Sequence, residues 1–316
     1  MPPSRLLELR NGDLRLTLAP GLGGSIAAFY RSWHDGKVDR CTHWLRPASE
    51  ASLASGEPLA MGCFPLLPFC NRIRDGLANF EGRAIRFQPN HPKGESRHPL
   101  HGIGWQHPWR VLASSASSAS LGLDFTASAE WPWCFSARQD IVLEPGRLGL
   151  RLTLTNTDTV AMPAGIGQHP YFPHTAGTRL TSVTQGMWRT DPEVMPTEFM
   201  PGSGGVTGRL AHGLCLAELE LDTNFTGWQR SALIEWPADH QGPARRLTMT
   251  AESPLDYFVV YSPRDADYFC AEPVSQCTDW LNLMPSHPAS ALGGARIAPG
   301  ESLSARIELQ PDWTAS

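Results

Sequence analysis

The chain has 316 residues, of which 41% are hydrophobic and 18% charged, a balance that supports a packed core and excludes a disordered chain. Its 26 Lys and Arg against 31 Asp and Glu leave a formal net charge of -5, and no basic run is long enough to neutralise a row of phosphates, which argues against a nucleic-acid partner. The longest apolar runs, such as Met61 to Phe69, are broken by Pro or Gly and fall well short of the roughly 20 residues of a membrane-spanning helix, so no membrane partner is expected.

Near the start, Leu6-Leu7-Glu8-Leu9 places charge where a secretory signal needs a continuous apolar core, and a cytoplasmic protein is expected. The seven cysteines form no CxxC pair and read as reduced, buried thiols. Leu14, Leu16 and Leu18 alternate as in a strand. Ser49 to Ala60, bracketed by Pro47 and Pro58, has room for a helical turn or two. Ala113 to Ser120, rich in Ser and Ala, reads as an exposed strand or loop.

Ile141-Val142-Leu143 and the alternating Leu148, Leu150, Leu152 and Leu154 are joined through Glu144-Pro145-Gly146, which predicts a β-hairpin over 137–155. Gln185 to Gly208, with five Gly and three Pro, reads as a long surface insertion that could border a binding site. Alternation returns at Leu219-Leu221, Leu247-Met249 and Leu303 to Leu309, each bounded by turn residues. No repeat with a period of about 20 to 50 residues is visible. The expected fold is all-β, a large antiparallel β-sandwich formed as a single domain over 1–316.

Three polar clusters interrupt this apolar pattern. The first, Phe69-Cys70-Asn71-Arg72-Ile73-Arg74-Asp75-Gly76, sets a guanidinium beside a carboxamide, a pair that holds sugar hydroxyls or a carboxylate. Its bland alternative is a surface ion pair of Arg72 or Arg74 with Asp75 or Glu81. The second, His98-Pro99-Leu100-His101-Gly102-Ile103-Gly104-Trp105-Gln106-His107, carries three imidazoles near an indole. Its spacing is not HExxH, no acidic base is interleaved, and a strand context does not set two ligands one helical turn apart, so no metal is expected. His98 and His107 read as hydrogen-bonded loop residues, whereas His101 looks placed for a purpose; Trp105 either stacks on a sugar face or belongs to the core.

The third cluster is Gly165-Ile166-Gly167-Gln168-His169-Pro170-Tyr171-Phe172-Pro173. Partial burial of its imidazole suits a proton-transfer group. Further on, Phe269-Cys270-Ala271-Glu272-Pro273 embeds one carboxylate in an apolar strand end, where desolvation raises its pKa and makes it a competent base.

Together and in this order, the segments resemble the aldose 1-epimerases, the galactose mutarotases. The resemblance spans almost the whole chain. It rests on Leu22-Gly23-Gly24, Asn71-Arg72-Ile73 followed by Phe80-x-Gly82, Leu100-His101-Gly102, Gly167-x-His169-Pro170-Tyr171-Phe172, Leu221-Asp222 and Glu272-Pro273. It implies that His169 protonates the ring oxygen, that Glu272 takes the anomeric hydroxyl proton, and that Arg72, His101 and Asp222 bind sugar hydroxyls, with Asn71 and Trp105 as further sugar contacts. It also implies a small-molecule sugar substrate, and ring opening by one acid and one base demands no metal, nucleotide or redox cofactor.

Three other readings compete. A hexose-6-phosphate epimerase of the same fold would clamp a phosphate with extra arginines, for which Arg74 and Arg97 are the candidates. A non-catalytic carbohydrate-binding protein would need hydrogen-bond partners but no matched acid and base. A lyase or hydrolase would want paired carboxylates or a Tyr base; only Glu272 is a strong carboxylate, since Asp222 before Thr223-Asn224 suits a turn equally well.

Overall fold

The computed structural model describes residues 6–34, 38–202, 204–238 and 243–313. Two large antiparallel sheets carry the architecture, as the alternating sequence predicts. In the nine-stranded sheet the central order runs Arg245–Ala251, Ser302–Trp313, Arg147–Asn156, Phe135–Glu144 and Ser118–Phe125. Every second residue of Phe135–Glu144 is buried, because successive side chains of a strand point to opposite faces. The hairpin foreseen over 137–155 extends over 135–156, with Glu144 paired to Arg147 across a Pro145-Gly146 tip. Gly146 has φ 74 there, the left-handed conformation that glycine adopts without a Cβ clash after a turn proline.

The eight-stranded sheet includes Gly186–Thr190, Leu221–Thr226, Tyr257–Ser262, Tyr268–Val274 and the short Gly167–Gln168. Its two central strands, Tyr257–Ser262 and Tyr268–Val274, are buried almost continuously and do not alternate, as expected where both faces are covered. One cluster of buried side chains joins both sheets, from Leu150 and Ile307 to Val260 and Phe269. Ahead of them, Leu7–Asn11, Leu14–Ala19, Ser25–His34 and Asp39–His43 form a four-stranded meander.

The stretch Ser49 to Ala60 does hold short helices. Glu50–Ser55 is capped by Ser49, whose Oγ accepts from Ser52 N at 3.0 Å, and a 3-10 turn follows at Pro58–Ala60. Ala113 to Ser120 divides between an exposed edge strand, Arg110–Ser114, and the start of its neighbour. No helix among the described residues is long and apolar enough to cross a membrane. All seven cysteines are unpaired, and Cys63, Cys70, Cys270 and Cys277 are buried.

The expectation for Gln185 to Gly208 is corrected. Gly186–Thr190 and Pro196–Pro201 form a hairpin on the edge of the eight-stranded sheet, and the helix Gly205–Ala211 follows. The signal lay under the turn residues: Trp188 is buried and packs on Phe199 with ring centroids 5.4 Å apart. Pro196 and Pro201 fit an outermost strand, which needs no full ladder of N–H donors.

Candidate active site

Strand register assembles the floor of the site. Asp222 lies opposite Tyr261, Tyr261 opposite Cys270 and Val259 opposite Glu272. Directly opposed residues share a face, and so do residues two apart on one strand. Asp222, Val259, Tyr261, Tyr268 and Glu272 therefore all face one way, and they line a cavity of about 440 Å³. Neighbouring Pro273 is buried in the same strand, and Glu272 itself is 2% exposed.

A second wall comes from two loops locked to each other. His101 N donates to Asn71 O at 2.8 Å, and Asn71 N donates to His101 Nδ1 at 3.1 Å. Both residues have positive φ, 58 and 59, a conformation held by this reciprocal pair. Because Nδ1 accepts, the neutral ring must carry its proton on Nε2. Burial, with His169 and Arg72 nearby, holds the His101 pKa well below its ordinary value, so His101 offers the cavity a neutral N–H donor. Arg72 Nη1 donates to Asn71 Oδ1 at 3.1 Å, and Nη2 lies 3.7 Å from Asp222 Oδ2. Burial raises the Asp222 pKa while Arg72 opposes that rise.

His169 follows directly on the strand Gly167–Gln168, where Gly167 pairs with both Leu66 and Val274. A Cβ on Gly167 would stand 2.8 Å from Pro273 O, so only glycine allows this approach of the His169 strand to the Glu272 strand. Gln168 anchors below, donating from Nε2 to Gln139 Oε1 at 3.0 Å. The imidazole stacks on Phe64 at 4.6 Å and on Tyr171 at 4.7 Å between ring centroids. Its Nε2 lies 3.3 Å from Glu272 Oε1.

Burial disfavours the charged form of both members of this pair. Burial, with Arg46 and Arg72 nearby, lowers the His169 pKa to about 3. Burial, reinforced by repulsion from Asp222, pushes the Glu272 carboxyl well above the usual range. A neutral imidazole beside a protonated carboxyl holds one proton, the same inventory as an imidazolium beside a carboxylate. Oxygens of a bound molecule placed on either side could exchange protons with the pair without changing its net charge.

The aldose 1-epimerase family model matches residues 5–310. The chain belongs to that family. It is 28% identical over 316 residues to the uncharacterized protein YphB of Escherichia coli K12, covering 98% of this chain and 99% of that one. A solved Escherichia coli K12 structure superposes with a TM-score of 0.83 at 27% identity, over 98% of this chain and 99% of that chain. A galactose mutarotase-like protein from Clostridium acetobutylicum has the same fold, with a TM-score of 0.80 at 20% identity over 97% and 95% of the two chains.

Within this family frame, the structure brings together His169, Glu272, Asn71, Arg72, His101 and Asp222 around one cavity. Trp105 is the exception and is a correction: its side chain is fully buried and does not line the cavity. Its Nε1 donates to Leu100 O and Gly102 O, both at 3.1 Å, and its ring stacks on Phe64 at 5.5 Å. The indole thus steadies the loop that carries His101. His98 and His107 lie outside the cavity, with His98 Nδ1 accepting from Asp75 N at 2.9 Å and His107 facing Glu130 at 3.2 Å.

Arg74 and Arg97 are also outside and already paired. Arg74 meets Asp279 at 3.3 Å and Asp191 at 3.6 Å; Arg97 meets Asp75 at 2.9 Å and Glu193 at 2.8 Å. Neither is placed to clamp a phosphate in the cavity. His101, His169 and Glu272 do bring ligating atoms within 4.8 Å of one another, but His101 turns an N–H inward instead of a lone pair, which suits a sugar oxygen better than a metal ion.

Sequence reasoning missed several cavity residues. Tyr261 and Tyr268 carry a usable signal, since they share the face of Asp222 and Glu272 once the strands are registered. Arg46, in Leu45-Arg46-Pro47, carries none. Nor do His91, Lys93 and Glu95, which reach the cavity from the loop before His98.

Proposed function

We propose that the protein is an aldose 1-epimerase that interconverts the α and β anomers of a sugar by opening and reclosing its ring. The observation that carries this reading is the buried pair of His169 Nε2 and Glu272 Oε1, 3.3 Å apart, at a cavity also lined by Asn71, Arg72, His101 and Asp222. Opening a hemiacetal needs a proton delivered to the ring oxygen while another leaves the anomeric hydroxyl, and such a pair meets that need.

In the productive arrangement the shared proton sits on His169. Glu272 takes the proton of the anomeric hydroxyl, the bond from C1 to the ring oxygen breaks, and His169 protonates that oxygen. The open aldehyde turns about its C1–C2 bond and recloses on the other face with the transfers reversed. Arg72, His101 and Asp222 hold hydroxyls through both halves, so that the chain rotates only at C1.

Polarimetry on freshly dissolved α-D-galactose and α-D-glucose tests this, with wild type beside His169→Ala and Glu272→Gln. Faster equilibration by wild type and its loss in both variants supports the reading. Wild type that matches buffer on a broad panel of aldoses and their 6-phosphates overturns it, as does full activity in Glu272→Gln.

A further inference from the structure

Polar atoms without partners continue across the sheet beyond Glu272. Asn224 is 3% exposed, yet among the described residues neither its Oδ1 nor its Nδ2 has a hydrogen-bond partner. Trp188 Nε1 and Glu272 Oε2 are buried in the same condition. A carboxamide without a partner costs stability, and an apolar side chain of the same size would serve packing better.

Register places these groups on one face. Asn224 lies opposite Val259 and Val259 opposite Glu272. Gly186 lies opposite Thr226, and Trp188 and Asn224, each two residues away from that pair, share its face. Neighbouring strands stand about 4.8 Å apart, so the backbones of Asn224 and Glu272 are about 10 Å from each other. Between them stands only Val259, a shorter side chain that the cavity reaches.

The two oxygens of Glu272 have different surroundings. Oε1 faces His169 Nε2 at 3.3 Å, and the strand leading into His169 pairs with the edge of the Glu272 strand that is turned away from Val259. That contact draws Oε1 to one side and leaves Oε2 for the side of Val259 and Asn224. Trp188 and Asn224 each bring a donor to this face, and Asn224 and Glu272 each bring an acceptor, the mixture that buried water joins.

We infer that Asn224 is a positioning residue for Glu272, joined to Oε2 through an ordered water held over Val259. The inference rests on the epimerase reading for the role of Glu272. A water and a carboxamide each donate and accept, so the same bridge turns a hydrogen to Oε2 when Glu272 is a carboxylate and a lone pair when Glu272 carries a proton there. The base is thereby held in place through both halves of the reaction. A donor on Oε2 also offsets part of the burial that pushes the Glu272 carboxyl upward.

The first test is a crystal structure of the wild-type protein at a resolution that shows ordered water. A water within hydrogen-bond distance of both the Asn224 carboxamide and Glu272 Oε2 is expected; a space over Val259 filled by side chains, or a water that reaches only one of the two, overturns the inference. The second follows the Glu272 carboxyl by NMR with isotope-labelled glutamate, its signal identified by its loss in Glu272→Gln. In Asn224→Leu the titration midpoint should rise by about one pH unit, the worth of one hydrogen bond, and Asn224→Ser, whose hydroxyl also donates and accepts, should keep the midpoint closer to wild type. The other charged and titratable groups around Glu272 are His169, Asp222, Arg72 and Tyr171, with the thiols of Cys63, Cys70 and Cys270, and both variants retain them all. On the preferred sugar, kcat should fall about 10-fold in Asn224→Leu, the same energy expressed as rate, with KM changed far less. A midpoint and a kcat per folded molecule that both stay at wild type, with stability alone altered, would make Asn224 purely structural and overturn the inference while the epimerase reading stands. If wild type turns over no sugar, that reading fails, and the water and the titration decide the inference by themselves.

Discussion

The segment from Asn71 to Asp75 divides its charged side chains between two environments. Arg72 turns into the cavity toward Asp222, while Arg74 and Asp75 turn away into a cluster with Asp191, Asp279, Arg97 and Glu193. In the outer cluster each arginine meets two carboxylates, and the buried Asp279 also accepts from Arg74 N at 2.9 Å and from Asn282 Nδ2 at 2.7 Å. In the cavity, Glu272 Oε2 and His169 Nδ1 are buried without a hydrogen-bond partner. Saturated charge serves the fold, whereas groups held short of partners at a stability cost are available for chemistry.

The sharpest way to break this comparison is at Glu272. Glu272→Gln keeps the shape but cannot take a proton, and we expect kcat to fall by about 100-fold or more, the usual worth of a general base, with KM changed far less. Steady-state rates on the preferred sugar decide it; a drop confined to KM would make Glu272 a binding group only.

Asp279 should behave in the opposite way. Removing its carboxylate by Asp279→Ala strips a charged acceptor from a buried site, and a loss of about 2–3 kcal/mol in unfolding free energy is expected. Urea unfolding measures that loss, while the rate per folded molecule should stay near wild type. A collapse in rate without a loss of stability would erase the distinction between the clusters.

The pH dependence of stability sharpens it further. A carboxyl whose pKa is raised by folding, as at Glu272, favours the native state only below its unfolded pKa, and that contribution is lost as pH rises toward the folded value. Glu272→Gln should therefore be more stable than wild type at neutral pH, and the gap should close as pH falls to about 4, where both states of wild type carry the proton. Paired melting curves from pH 4 to 8 check this; a gap that widens toward low pH would contradict the assigned direction.

The smallest effect is expected at Trp105. Trp105→Phe deletes the donor shared by Leu100 O and Gly102 O and should cost about 1–2 kcal/mol, with KM raised a few-fold through the loosened His101 loop. An unchanged KM and a full loss of stability would show that the indole serves only the core.

Local pattern made much of the fold legible. Alternating Leu148, Leu150, Leu152 and Leu154 announced the hairpin because strand periodicity is written in neighbouring residues, and the turn chemistry of Pro145-Gly146 sat between its arms. The edge hairpin around Trp188 stayed hidden, since an outermost strand tolerates the same Gly and Pro that mark loops.

The site divides along the same line. The sequence by itself determined which groups could do acid–base work, because imidazole and carboxylate chemistry belongs to His169 and Glu272 wherever they lie, and their setting among glycines, aromatics and a proline is a local signature. Only the tertiary structure decided which groups meet. Register brought Tyr261 and Tyr268 onto the face of Asp222 and Glu272. Burial took Trp105 from the sugar to the carbonyls of its own loop. Chain packing brought Arg46 to the cavity wall over the Tyr171 and Tyr268 rings, and contact and burial over such distances are properties that no short stretch of sequence contains.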